Sequence, residues 1–167
     1  MSKRKFSMIA PALWRSKRVR ALSSDEKVLL FYLLTSEHQN SAGCYRLPEG
    51  YVCSDLGWEP ATLRKARAAL VKADLVDFDP DTETVFICGW LKQCPPQNQK
   101  HALGTQTLIG NIESDRLRER AESDFEATGF WDNPLGPAAN TTTAGNSPAY
   151  SSALANSPLV KRASGLR

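Results

Sequence analysis

The sequence predicts a small α+β fold followed by a disordered tail. Three observations support this prediction. Ser23 and Glu26 form a capping box in front of an apolar run, as at the start of a buried helix. Residues 60–73 carry apolar side chains at helical spacing. Two stretches rich in β-branched and aromatic residues flank the turn sequence at residues 79–82 (DPDT), which predicts a hairpin.

The chain before the first helix is strongly basic. Residues 6–13 predict an edge strand or an extended arm, and Trp14 is expected to anchor it to the core. The basic run that follows, residues 15–20, is either a solvated loop or an arm that contacts phosphates. Its cations, called the basic arm below, are Arg15, Lys17, Arg18 and Arg20.

The next elements are short and alternate between helix and strand. The helix that begins at Ser23 is expected to end near Ser36, and residues 44–47 (CYRL) predict a short strand. Pro48 opens a short helix, and Gly57 allows the chain to turn before a second, longer helix. The two helices around this turn predict a helix-turn-helix.

The second helix is expected to have an apolar face and a basic face. Pro60 suits the first helical position, because its missing N–H has no partner there. No acid occurs from residue 61 to residue 73, and a helix-turn-helix places its second helix in the major groove of DNA. The alternative is a basic face that is only solvated. The apolar stripe is Leu63, Ala66, Leu70 and Ala73, and the expected DNA contacts are Ala61, Thr62, Arg64, Lys65, Arg67 and Lys72.

The predicted hairpin has an acidic tip. Asp77, Asp79 and Asp81 resemble the start of a calcium loop, but Thr82 and Cys88 stand where that loop needs Gly and Glu. No metal is therefore expected here. Like charge should keep the tip off a phosphate strand, free to face a basic surface such as the basic arm.

The chain after the hairpin predicts two helices and then a tail. Trp90 and Leu91 are expected to fold back over the core. Residues 100–112 predict a helix, and residues 113–127 a charged helix that needs a partner surface in its own domain or in another subunit. The faces expected to be apolar are Leu103, Thr107 and Leu108 in the first helix, and Leu117, Ala121 and Phe125 in the second.

Composition narrows the class of protein. The chain has 167 residues, a net charge of +3 and four cysteines, none of them in a CxxC pair. Neither zinc nor another cofactor is expected, and reduced thiols indicate a cytoplasmic location. No apolar run is long enough to cross a membrane, and no signal peptide is expected. No catalytic motif is present, so an enzyme is not expected.

The predicted order of helix, strand, helix, turn, helix and hairpin is that of a winged helix. Four blocks, ALSSDEKVLLFYLLTS, GCYRLPEGYVCSDLGW, LVKADLV and GWLKQCPPQNQ, resemble the N-terminal winged-helix domain of replication initiator or replisome organiser proteins encoded by phages and prophages. The resemblance covers about half of the chain. It implies binding of double-stranded DNA at an origin, in the cytoplasm of a bacterial host, and recruitment of replication proteins.

The sequence thus predicts three regions and leaves three functions open. Residues 1–98 are expected to form a winged-helix DNA-binding domain with a basic N-terminal arm, residues 99–130 a helical extension, and residues 131–167 a disordered low-complexity tail. Residues 100–130 are candidates for contact with replication proteins or with a second copy. The alternatives to replication initiation are a phage or prophage transcriptional regulator and a winged helix used as a protein-interaction module.

Overall fold

A computed structural model describes residue 7 and residues 9–130 of the chain. The predicted tail at residues 131–167 and the first six residues of the chain lie outside the described residues. The described residues form seven α-helices and one three-stranded antiparallel sheet, which confirms the predicted α+β class.

The N-terminal segment is helical where an extended arm or a loop was expected. A 3-10 helix spans Pro11–Arg15, and α1 spans Lys17–Arg20. Trp14 does not anchor this segment in the core, because it is 57% exposed and only lies against the Phe31 ring. Val19 is fully buried instead, so a small aliphatic side chain attaches the segment to the core.

Helix α2 spans Ser24–Thr35 and has the predicted boundaries. The capping box is present: the Glu26 N–H donates to Ser23 Oγ, and the Ser23 N–H donates to the Glu26 carboxylate. Tyr45 Oη donates to the Leu33 carbonyl at 2.6 Å, which joins this helix to the first strand.

The next two helices lie on either side of a short turn, at the positions predicted. Helix α3 spans Glu49–Leu56 and α4 spans Pro60–Lys72. Gly57 ends α3 with φ 64°, a left-handed conformation that favours glycine, so the chain can turn sharply into α4. The predicted apolar stripe is buried at Leu63, Ala66 and Leu70.

The sheet is formed by three short strands in the order β1-β3-β2. Strand β1 spans Cys44–Arg46, β2 spans Val76–Asp79 and β3 spans Thr84–Ile87. All four residues of β3 are buried, since this strand pairs with both neighbours. Strands β2 and β3 are the predicted hairpin.

Helix α5, Trp90–Gln93, covers one edge of the core as predicted. Trp90 and Leu91 are buried, and Trp90 Nε1 donates to the Ser41 carbonyl at 3.0 Å. The Trp90 side chain lies so close to Gly43 that a Cβ there would come within 2.4 Å of it. Gly43 therefore makes room for the tryptophan.

Helix α6, Gln99–Gly110, turns a different face inward from the one predicted. Leu103 is 55% exposed, and the buried residues are Ala102, Thr105 and Ile109. Thr105 can be buried because its hydroxyl donates to Ser41 Oγ at 2.8 Å, which satisfies the polar group.

Helix α7, Asp115–Glu126, buries its predicted stripe of Leu117, Ala121 and Phe125. The partner surface is in its own domain, because α7 contacts all three strands as well as α5 and α6. These side chains belong to the same hydrophobic cluster as α2, α4 and the sheet. The helices after residue 98 therefore share one core with the residues before it.

Candidate nucleic-acid interface

Helix α4 presents an exposed face made of cations and small residues. Pro60 begins the helix, and burial of Leu63 and Leu70 determines which side is exposed. The exposed residues, called the basic face below, are Ala61, Arg64, Lys65, Ala68 and Lys72. Thr62, which was also expected at DNA, is half-buried at the edge of this face.

The two arginines of α4 share one carboxylate on α3. Arg64 donates from Nε and Nη2 to Glu49 Oε2, at 3.1 and 3.0 Å. Arg67 donates from Nη2 to Glu49 Oε1 at 2.7 Å. The Arg64 hydrogen bonds are the main reason why the pKa of Glu49 lies below its ordinary value, since they outweigh the effect of burial. Glu49 is thus a carboxylate at neutral pH.

Arg67 lies at the junction between helix and hairpin rather than on the basic face. Its side chain is only 17% exposed, and its guanidinium lies 3.7 Å from the centroid of the Phe78 ring. Its contacts with Glu49 and Phe78 are both inside the domain. Arg67 therefore exposes much less of its side chain than Arg64 does.

The basic arm meets the end of α4 through one residue. Arg18 Nη1 donates to the Asp74 carbonyl at 2.6 Å and lies 3.4 Å from the Asp74 carboxylate. Arg15, Lys17 and Arg20 are exposed and form no ion pair within the described part of the chain. The arm therefore adds cations beside the C-terminal end of the basic face.

The acids of the hairpin are paired mainly with α7 and not with the basic arm. Asp77 accepts from Arg116 at 2.6 Å and from Arg120 at 2.7 Å. Burial alone would raise the pKa of Asp77, but the hydrogen bonds from these two arginines prevail and lower it. The basic surface that meets this acidic strand is thus α7.

The tip of the hairpin has its own partners. Ser114 donates to the Asp79 carboxylate, and this hydrogen bond is the main reason why the pKa of Asp79 is lowered. Arg46 of β1 pairs with Glu83 at 2.8 Å. Asp81 is exposed, so the tip keeps negative charge on its surface.

Sequence reasoning did not identify Glu49 or the arginines of α7 as parts of this arrangement. Glu49 is 15 residues before Arg64, a separation that carries no local signal. The spacing of Arg116 and Arg120 did contain a local signal, because residues four apart lie on one helix face. This pair of arginines could have been matched to the acids of the hairpin, which have no cation between them.

The residues that the structure describes offer no metal site. They contain no group of three or more His, Cys, Asp or Glu side chains that could hold an ion. Cys44, Cys53 and Cys88 are thiols that form no disulfide. Burial raises the pKa of Cys44 to about 12 and that of Cys88 to about 11, so both are protonated at neutral pH and poor ligands.

Comparison with known proteins finds no matching family model, no similar curated protein and no similar solved structure. Within the described ranges, no helix combines the length and the apolar character needed to cross a membrane.

Proposed function

We propose that this protein binds double-stranded DNA as a winged helix-turn-helix, with α4 in the major groove. The observation that carries the proposal is the basic face of α4. Lys65 and Lys72 are exposed on it and, among the described residues, form no ion pair. Ala61 and Ala68 lie between the cations, so the helix backbone can approach a polyanion closely.

The arrangement of the other elements supports this proposal. The chain order α2, β1, α3, α4 and hairpin is that of a winged helix, and β1 pairs with the second strand of the hairpin. In this reading the hairpin is the wing. Its acidic tip stays off the DNA, and the basic arm supplies phosphate contacts next to α4.

We further propose that the DNA binding serves initiation of phage or prophage replication in the host cytoplasm. This step depends on the resemblance of the sequence blocks and not on the geometry. A transcriptional regulator would use the same face of α4. Footprinting on the genome that encodes the protein separates these roles, since replication requires protection of repeats in an origin and regulation requires protection of a promoter.

A protein-interaction module is the second candidate, and exposed apolar side chains favour it. Trp14, Val28 and Tyr51 are among the large apolar residues that solvent reaches, and Leu103 of α6 is another. On this alternative, residues 100–130 would contact a replication protein or a second copy through α6. The basic face would then be only solvated.

The test is a titration of the full chain against a labelled duplex at several salt concentrations. Binding through phosphates releases counterions, so log affinity should fall linearly with log salt, with a slope of about 0.9 per phosphate contact. Replacing Lys65 and Lys72 by Ala should weaken binding and flatten this slope. The matched control replaces Lys92 and Lys100, two exposed lysines outside the basic face and the basic arm. Equal effects of the two double variants, or no duplex binding by the parent, would overturn the proposal.

A further inference from the structure

We infer that Arg64 reads a guanine in the major groove and that Glu49 is the positioning residue that orients its guanidinium. This inference depends on the proposed function and goes further, because it names the base class and a residue outside α4. Arg64, the arginine of the basic face, is already held by the Glu49 carboxylate.

The hydrogen bonds of Arg64 leave one edge of its guanidinium open. Glu49 engages the edge formed by Nε and Nη2. Among the described residues, no acceptor contacts Nη1 of Arg64. A guanidinium has five N–H donors in a fixed plane, so the opposite edge still offers one N–H from each of Nη1 and Nη2.

That open edge fits guanine. Guanine presents two acceptors in the major groove, N7 and O6, and an arginine that donates two parallel hydrogen bonds pairs with both. Adenine presents an acceptor beside a donor, and cytosine presents a donor. Two parallel donors therefore prefer guanine. A lysine ammonium is a compact point charge without a fixed plane, so it could not be oriented in this way.

The carboxylate that holds Arg64 is itself fixed. Glu49 Oε1 accepts from Arg67 Nη2, and Arg67 stacks on Phe78 of the hairpin. Glu49 is also the first residue of α3, where the positive end of the helix favours a negative side chain. The guanidinium of Arg64 is thus ordered before DNA arrives, which lowers the entropy that binding must remove.

The surroundings of Arg64 leave room for a base pair. Its side chain is 65% exposed, so it points away from the core. Ala61 and Ala68, three residues before it and four residues after it, lie on the same face of α4 and are exposed. Their short side chains let the open edge of the guanidinium reach the floor of the groove.

The experiment selects preferred duplexes from a random pool with the full chain, and then replaces single guanines by 7-deazaguanine. This base still pairs with cytosine but lacks N7. At the guanine read by Arg64, the replacement should weaken the parent by several-fold, less than the upper limit of about 150-fold for a whole bidentate base contact, because O6 still accepts one hydrogen bond. Arg64→Lys and Glu49→Gln should lose most of this discrimination. Arg64→Lys should also keep affinity for random duplex and its salt dependence, since the charge remains.

A second measurement guards against a folding defect. Thermal unfolding of Glu49→Gln shows whether the junction with Arg67 survives, and Arg64→Lys leaves that junction intact. The matched control is Lys72→Ala, which should weaken all duplexes alike. If the selected duplexes show no base preference, or if both arginine and glutamate variants keep the discrimination, the inference is wrong while DNA binding stands. If no duplex binds at all, the proposed function itself fails.

Discussion

The guanidinium of Arg67 lies 3.7 Å from the centroid of the Phe78 ring and connects α4 to the hairpin. Arg67 and Arg64 are three residues apart on one helix and share Glu49, yet only Arg64 is exposed. The same residue type therefore serves two purposes on α4. One arginine stabilises the junction and the other is available to a ligand.

We predict that Arg67→Ala lowers the free energy of unfolding by about 1–3 kcal/mol, since it removes a hydrogen bond to a charged group and a cation–π contact. Arg64→Ala should have a much smaller effect on stability, because solvent already surrounds that side chain. Urea unfolding at neutral pH measures both. Equal losses in the two variants would contradict the different placement of the two arginines.

The two faces of α4 should respond to substitution in different ways. Leu70 is fully buried, so Leu70→Ala should cost about 2–5 kcal/mol of stability. Lys65→Ala, on the exposed face, should leave stability nearly unchanged and weaken duplex binding. Chemical unfolding and duplex titration on the same two variants check this separation. Weaker binding by a still-folded Leu70→Ala, with no effect of Lys65→Ala, would mean that the faces are assigned wrongly.

Helix α7 should unfold together with the rest of the domain. Phe125 is 1% exposed and belongs to the common core, so Phe125→Ala should destabilise by about 3–5 kcal/mol. The control is Leu103→Ala on α6, where the side chain is exposed and little should change. Calorimetry should show a single transition in both variants. A separate, early transition for α7 would show that it is not part of the folding unit.

The basic arm should contribute to the salt dependence of DNA binding, and the hairpin tip should not. Replacing Arg15, Lys17 and Arg20 by Ala should flatten the slope of log affinity against log salt by about 0.9 for each phosphate that the arm no longer neutralises. Arg18 is left in place because it pairs with Asp74. Replacing Asp79 and Asp81 by Asn should barely change the slope. A marked gain in affinity from the Asn variant, with a steeper slope, would place the tip next to the DNA backbone.

The pairing of Asp77 with Arg116 and Arg120 should appear as a loss of stability in acid. The pKa of Asp77 in the folded protein is lower than its ordinary value of 3.8, so as the pH falls this carboxylate is protonated in the unfolded chain before it is protonated in the folded protein. The contribution of the pairing to the free energy of unfolding is therefore fully present above about pH 4 and disappears as the pH falls through the folded pKa. Unfolding measured from neutral to acidic pH should show less acid sensitivity in Asp77→Asn than in the parent. Asp81→Asn, at an exposed position, is the control and should follow the parent curve.

The sequence by itself determined the elements whose signals are local. The capping box at Ser23, the proline at position 60 and the apolar stripes of α4 and α7 lie within one or a few helical turns. The hairpin was equally readable from its turn residues. In each case the residues that decide the conformation are neighbours in the chain, so their spacing is sufficient to predict it.

Tertiary structure alone decided which polar side chains meet. Glu49 joins Arg64 and Arg67 across the turn between α3 and α4. Asp77 pairs with Arg116 of α7, which is 39 residues away. Thr105 is buried because its hydroxyl donates a hydrogen bond to Ser41 Oγ. A charged or hydroxyl side chain is stable in such a place only when a partner satisfies it, and that partner comes from a distant part of the chain. Local spacing shows which side chains share a helix face, as for Arg116 and Arg120, but it does not show which distant residue they meet. For this reason the sequence predicted the basic helix, while the fold decided which of its arginines remains exposed.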